Sequence, residues 1–233
     1  DFVLVMLEER NFVAGGEGGW RLPGPAIMAL LRALAQTESR LVAMLATAEP
    51  VDLGDADQYF AAVLQCWTPC EGFEEALSDI LSGRASPQGR MPVSAGRFAF
   101  GHGLGFGEVS LGSYVLGAGA DHLAATVRVA NSGSFAARET VQVFTRRADG
   151  ALRLASFRHV VLPPGGETTV RFELGLDELG TRGESGRLEL APGRHEVLLG
   201  KDSRRVLSAT VEITPALARA VVNRDRGFLR LAG

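Results

Sequence analysis

Three carboxylates near the start of the chain are placed where they could carry acid–base chemistry. Glu17 stands in the glycine-rich segment 14–19, and Glu8 and Glu9 follow the apolar run 2–7. Glycine tolerates positive φ and close backbone approach, so this segment could extend Glu17 across a domain interface. A carboxyl group placed in a desolvated site can serve as a general acid. Composition alone favours a solvated loop carboxylate at position 17, and the acid–base interpretation stays open at this point.

Other reactive residues lack the partners that their usual chemistry needs. No Lys-Ser or Lys-Thr follows the glycines, and Glu17 would repel phosphate, which excludes a phosphate-binding loop. Cys66 and Cys70 are too few for a disulfide framework and do not match zinc-ligand spacing, so we expect two free thiols or one local disulfide. His102 lies between glycines without a nearby Ser or Cys nucleophile, which favours a structural role. We expect neither a metal nor a cofactor.

The elements that must position these residues alternate between strand and helix in the first half. Ile27, Leu30, Leu31 and Leu34 form one helical face, and Pro25 suits the first position of that helix. Apolar runs at residues 2–7, 41–46 and 61–67 predict buried strands, and residues 73–81 predict a second helix. Strand–helix–strand alternation predicts a parallel sheet with helices on its faces.

The second half changes to a period of two, which is typical of strands that have one face buried. Apolar residues alternate along several short runs between turn signals such as Asn131-Ser132-Gly133 and Pro192-Gly193. This pattern predicts a β-sandwich. We therefore expect an α/β domain over residues 1–95, a linker over 96–117, the sandwich over 118–213 and a tail, helical in part, over 214–233.

Charge and hydropathy exclude some classes of partner. The 233 residues carry a net charge of -3, so no basic field favours nucleic acid. No apolar run approaches the roughly 20 residues of a membrane span. Because the chain opens with Asp1 inside an apolar run, we expect that it is cut at its N-terminus.

Several motifs, taken in order, resemble glycoside hydrolase family 3. They are Trp67-Thr68-Pro69, Ser86-Pro87-Gln88-Gly89-Arg90-Met91-Pro92 and Phe100-Gly101-His102-Gly103-Leu104, followed by Asn131-Ser132-Gly133 and Leu162-Pro163-Pro164-Gly165. That family has Trp-Tyr-Pro-Gly, Asn-Pro-Ser-Gly-Arg-Leu-Pro and Phe-Gly-His-Gly-Leu-Ser-Tyr in its C-terminal region. The resemblance implies a partial three-layer α/β/α sandwich, truncated at its N-terminus, followed by an immunoglobulin-like (fibronectin type III-like) β-sandwich.

The resemblance also implies a function and assigns roles to residues. Retaining glycosidases use two carboxyl groups about 5–5.5 Å apart. In the family, the nucleophile is an Asp on a preceding (β/α)8 barrel, which this chain lacks, and Glu17 matches the acid/base. Glu8 and Glu9 are the rival carboxylates. Trp20 and Arg21 are candidate contacts for a glycoside or oligosaccharide substrate, with Trp67 a weaker one, although large aromatics are more often core residues.

We therefore expect the C-terminal portion of a β-glucosidase-like or β-xylosidase-like hydrolase that is inactive on its own. The alternative is a non-catalytic carbohydrate-binding or interaction module. The chain also departs from the family pattern, because Trp20-Arg21 stands where many members have Asp-Arg, and Glu74-Glu75 replaces Gly-Gly. These departures leave the sugar and the linkage undefined.

Overall fold

The computed structural model describes residues 2–14, 21–146 and 150–231. The chain divides into two compact units. The first comprises residues 1–85 and 91–100, and the second comprises residues 86–90 and 101–233.

The first unit is built on a parallel three-stranded sheet. Its elements are β1 (Phe2–Glu8), β2 (Phe12–Ala14), β3 (Arg21–Pro23), α1 (Pro25–Leu34), β4 (Arg40–Ala46), β5 (Phe60–Gln65) and α2 (Phe73–Leu81). The strand order is β1-β4-β5, and both pairings are parallel, as the sequence predicts. Helix α1 begins at Pro25, where the missing N–H of proline costs nothing. Its fully buried Leu31 packs with Leu7 and Leu45 in the core.

One face of β1 is exposed, although a continuous apolar run predicts burial on both faces. The register pairs Leu4 with Val42 and Met6 with Met44, so these side chains share the face opposite the α1 core. Met44 on the central strand is buried, whereas Phe2, Leu4 and Met6 are 58%, 38% and 44% exposed. Among the described residues, the core on the α1 side therefore buries only alternate residues of this edge strand.

The second unit is a β-sandwich of two antiparallel sheets, as predicted. Its elements are β6 (Val109–Ala118), β7 (Leu123–Asn131), β8 (Ala137–Arg146), β9 (Leu152–Leu162), β10 (Glu167–Leu174), α3 (Leu176–Leu179), β11 (Thr181–Arg182), β12 (Leu188–Glu189), β13 (Gly193–Gly200), β14 (Val206–Ile213) and α4 (Pro215–Leu231). The sheets have the orders β10-β7-β6 and β14-β13-β8-β9. Alternate residues of β7, such as Val127 and Val129, are fully buried against Val141 and Val143 of β8. Val221 of α4 belongs to the same core.

Strand β6 lies mostly within the segment that the sequence pattern indicates as linker. It pairs with β7 along Val109–Ala118, but the register shifts between Gly112 and Val115, and Ser113 has a φ of 43°. This bulge changes which residues face the core, so Leu111 and Tyr114 both point inward. The bulge interrupts the period of two, which explains why alternation alone does not reveal the strand.

Candidate active-site loop

A two-stranded ribbon holds the segment that contains the leading candidate residue. Strands β2 and β3 pair antiparallel, with Phe12 opposite Pro23 and Ala14 opposite Arg21. Residues 15–20 connect these strands. Glu17 and Trp20 therefore lie outside the described residues, and only the backbone of Arg21 is described. The structure thus describes the residues on either side of the Glu17 segment, Ala14 and Arg21, which pair with each other.

The base of the ribbon is anchored to both the sheet and helix α1. Phe12 is buried in the core of the first unit. The Asn11 carbonyl accepts a hydrogen bond from the Gly24 amide at 2.8 Å, and Asn11 Oδ1 accepts one from the Glu8 amide at 2.7 Å. Asn11 therefore connects the end of β1 with the residue before α1. The ribbon follows the carboxyl end of β1, where α/β sheets usually place functional groups.

Polar side chains that the sequence analysis did not identify also lie at this edge of the sheet. Thr47 follows β4 and is 1% exposed, and its hydroxyl donates to the Glu49 carbonyl at 2.7 Å. Gln65 ends β5, and its Nε2 donates to Thr47 Oγ1 at 3.2 Å. A polar residue at the end of each apolar run could have indicated this cluster, because neighbouring parallel strands bring these ends together.

The two rival carboxylates have partners within the fold. Glu8 Oε2 lies 2.8 Å from an Arg10 guanidinium nitrogen on the surface. Glu9 Oε1 accepts the Ala48 amide at 2.5 Å and so joins the turns that follow β1 and β4. The Ala48 contact gives Glu9 a structural role at the sheet edge, whereas the Glu8–Arg10 pair is exposed and contributes little to stability.

The turn after β5 contains the second tryptophan and both cysteines. Trp67 is half-buried and has a φ of 58°, an unusual conformation for a bulky side chain. Cys66 and Cys70 are free thiols, and burial raises the pKa of Cys66. In the described part of the chain, no group of three or more His, Cys, Asp or Glu residues is arranged to hold a metal ion.

His102 lies in the second unit and has a structural environment. Its Nδ1 is 3.6 Å from Asp202 Oδ2 and 3.2 Å from an Arg205 guanidinium nitrogen. Burial is the largest influence on its pKa and lowers it, and the Arg205 cation acts in the same direction. These contacts are consistent with the structural role that its glycine neighbours indicate.

Comparison with known proteins identifies the family. Residues 1–144 match the Glycosyl hydrolase family 3 C-terminal domain, and residues 139–203 match the Fibronectin type III-like domain. The chain belongs to glycoside hydrolase family 3. Its curated relatives include a periplasmic beta-glucosidase of Salmonella typhimurium, 22% identical, and a beta-glucosidase of Rhizobium radiobacter, 25% identical. The alignments cover 79% and 80% of this chain and 30% of each relative, so this family 3 chain spans about a third of their length.

Solved structures agree with the family 3 fold. A beta-glucosidase from Listeria innocua, 23% identical, superposes with a TM-score of 0.78 over 92% of this chain and 36% of its own. A Beta-D-glucoside glucohydrolase from Trichoderma reesei, 17% identical, gives the same score over 92% of this chain and 40% of its own. At these identities, the likeness is evidence for the fold alone. No helix among the described residues is long and apolar enough to cross a membrane.

Proposed function

We propose that this chain is the C-terminal portion of a retaining β-glycosidase and that Glu17 is its general acid/base. The observation that supports the proposal is the ribbon of β2 and β3, which follows the carboxyl end of β1 and flanks the Glu17 segment in the sequence of a family 3 chain. Relatives named as a beta-glucosidase and a beta-xylosidase favour β-linked glucosides or xylosides as substrates.

In the proposed reaction, Glu17 transfers a proton in each of two steps. A carboxylate from a preceding (β/α)8 barrel, a part of the protein beyond this chain, attacks the anomeric carbon. Glu17 donates its proton to the departing glycosidic oxygen as that bond breaks. Glu17 then removes a proton from water, and the resulting nucleophile releases the sugar from the glycosyl-enzyme. Closure of the barrel over the segment would exclude water and favour the protonated carboxyl group in the first step.

Trp20 and Arg21 are proposed to bind the substrate beside Glu17. Arg21 follows the segment directly and opposes Ala14 at the end of the ribbon. Its guanidinium can donate to sugar hydroxyls, or to Glu17 when that residue is ionised. Trp20 offers an aromatic face on which a sugar ring can stack. Glu8 and Glu9 are less suitable as the acid/base because Arg10 and the Ala48 amide engage them within the fold.

The test uses a series of aryl β-glycosides with the full-length protein. Glu17→Ala should slow glycosyl transfer by roughly 10²–10⁴-fold for poor leaving groups, and by much less for activated ones that depart without protonation. Glu9→Gln is the matched control, because the amide oxygen can still accept the Ala48 N–H, and it should leave activity near that of the unmodified enzyme. An equal loss for good and poor leaving groups in Glu17→Ala would remove Glu17 from the acid role.

The isolated chain provides a separate check on the missing nucleophile. One carboxyl group cannot complete a double displacement, so the purified 233 residues should not hydrolyse an activated aryl β-glycoside. Turnover that Glu17→Gln abolishes would show that the chain contains both carboxylates.

A further inference from the structure

Two segments that precede the first strand of the sandwich belong to the second unit. Residues 86–90 and 101–108, hereafter the strap, lack regular secondary structure but make specific contacts. The Phe106 amide donates to Ser86 Oγ at 2.9 Å, which joins the two segments. The Glu108 amide donates to Asn131 Oδ1 at 3.1 Å, which joins the strap to β7.

Every second residue of the longer segment is a glycine that faces a close neighbour. A Cβ added at Gly103 would overlap the carbonyl oxygen of Gly89, and one at Gly107 would overlap the Cβ of Ala137. The neighbours are backbone in one case and the start of β8 in the other, so neither can move aside easily. The full alternating set is Gly101, Gly103, Gly105 and Gly107. Gly101 has a φ of 82°, which favours glycine, and all four positions have close neighbours, which a freely moving linker would not require.

A buried carboxylate connects the strap to the sandwich. The Glu139 side chain on β8 is only 6% exposed, and its Oε1 lies 2.5 Å from an Arg90 guanidinium nitrogen. Its Oε2 lies 3.0 Å from Nζ of Lys201, which follows β13, and Oε1 also accepts the Thr140 amide at 2.8 Å. A desolvated carboxylate is costly without such partners, so Arg90 has a defined place in this cluster.

Further contacts hold the other parts of the strap. Gln142 of β8 is buried, and its Nε2 donates to the Lys201 carbonyl at 2.8 Å and to the Gly101 carbonyl at 3.3 Å. An Arg138 guanidinium nitrogen donates to Gln88 Oε1 at 3.0 Å. Both strap segments are therefore bonded to β8 at separate positions.

We propose that residues 86–90 and 101–108 are a structural strap of the β-sandwich, fastened by Glu139, so that its cooperative folding unit extends back to Ser86. The proposal assigns a role to Arg90, Gly101 and Gly103, which lie in the motifs that carry the family resemblance. It assigns one also to Gly105 and Gly107, which follow those motifs. Arg90, Gly101 and Gly107 lie against β8, whereas Gly103 and Gly105 lie against the other strap segment. A sandwich excised at the start of β6 would lack both strap segments and leave Glu139 without Arg90.

The test measures hydrogen–deuterium exchange by mass spectrometry on the whole 233-residue chain. Peptides containing the Phe106 and Glu108 amides should exchange slowly, at rates similar to those expected for β7. Glu139→Gln leaves Arg90 and Lys201 without a carboxylate, so it should accelerate strap exchange by about a hundredfold. Glu167→Gln is the matched control, because Glu167 pairs with Arg128 on the exposed surface of the same sandwich. Exchange of the strap peptides should change little in this variant.

A second pair of variants tests the glycine contacts independently of charge. Gly103→Ala should accelerate exchange in the strap, whereas Gly117→Ala should not, because a Cβ at Gly117 has no neighbour within 4 Å. Acceleration of β7 together with the strap would also support a single cooperative unit. Strap peptides that exchange like an unfolded chain before any substitution would overturn the proposal. Slow exchange that neither Glu139→Gln nor Gly103→Ala changes would overturn it as well.

Discussion

Asn131 offers a sharp test of how the sandwich is stabilised. It ends β7, is 1% exposed, and uses both ends of its side-chain amide. Its Nδ2 donates to the Phe135 carbonyl at 2.8 Å and to the Pro163 carbonyl at 3.1 Å. Its Oδ1 accepts the Glu108 amide at 3.1 Å and the Gly133 amide at 3.2 Å. With a longer bond from Nδ2 to the Leu162 carbonyl at 3.4 Å, this side chain bonds to five backbone groups, which lie in the strap, in the turn after β7 and around the end of β9.

Replacing Asn131 by Ala should cost about 3–4 kcal/mol of the free energy of unfolding. Each of the four shorter bonds contributes on the order of 1 kcal/mol, and groups that remain buried without a partner cost more. Water reaching the more exposed turns should reduce the sum, which sets the lower limit. Asn131→Asp has the same shape and keeps Oδ1 as an acceptor, but it replaces the donor with a carboxylate oxygen beside two carbonyls. We expect the Asp variant to be destabilised as much as the Ala variant at pH 7.

The assay is urea unfolding of the full chain, followed by far-ultraviolet circular dichroism for both units. Both tryptophans, Trp20 and Trp67, precede the sandwich, so tryptophan fluorescence reports the first unit separately. With a slope of about 1–3 kcal/mol per molar urea, the sandwich midpoint should fall by roughly 1–4 M in Asn131→Ala. The fluorescence transition should stay in place. A fall in the sandwich midpoint of less than about 0.3 M would refute the conclusion that the Asn131 side chain stabilises the segments to which it bonds.

Three further predictions concern pH and exposed surface. Burial lowers the pKa of His102 below its usual 6.5, so the unfolded chain binds the proton first and stability should fall as pH drops below about 6.5. His102→Gln should make the denaturant midpoint depend less on pH between pH 7 and 5. An unchanged pH dependence would contradict a buried, neutral His102 in the folded chain. Burial raises the pKa of Tyr114 to about 12, whereas the tyrosine of the unfolded chain ionises near pH 10. The stability that the neutral Tyr114 contributes should therefore be lost between about pH 10 and pH 12. Ultraviolet titration should show one tyrosine that ionises late, and Tyr114→Phe should remove that transition alone. The exposed apolar face of β1 should bind a hydrophobic dye; the double substitution Leu4→Ser and Met6→Ser should lower dye fluorescence, and equal fluorescence would place the bound dye elsewhere.

The architecture could be predicted from the sequence because its strongest patterns are local. Pro25 and the helical spacing of Ile27 to Leu34 locate α1, and alternating apolar residues locate the sandwich strands. The sequence pattern did not reveal strand β6, because a bulge near Ser113 interrupts its alternation of apolar residues. The exposure of Leu4 could not be read from β1 itself, because it depends on which elements pack against the sheet.

The contacts of the strap could not be predicted from the sequence for a different reason. Glycine suits both a mobile linker and a chain that approaches its neighbours closely, and composition does not distinguish the two. The alternation of Gly101, Gly103, Gly105 and Gly107 was visible in the sequence. Its meaning depended on Arg90 and Glu139 lying together, although they are far apart in the sequence. For the proposed acid/base, the family resemblance indicated Glu17, and the structure adds the two paired strands on either side of its segment.

Azide rescue of Glu17→Ala in the full-length enzyme tests the central claim most directly. With an activated aryl β-glycoside, the first step needs little acid assistance, so the glycosyl-enzyme should form and accumulate. Azide needs no general base, and it should attack this intermediate, restore turnover and yield the β-glycosyl azide. That product, formed by the variant and dependent on azide concentration, is the result we predict. A variant that azide does not accelerate, and that loses activity by the same factor on every leaving group, would contradict the assignment of Glu17 as the acid/base.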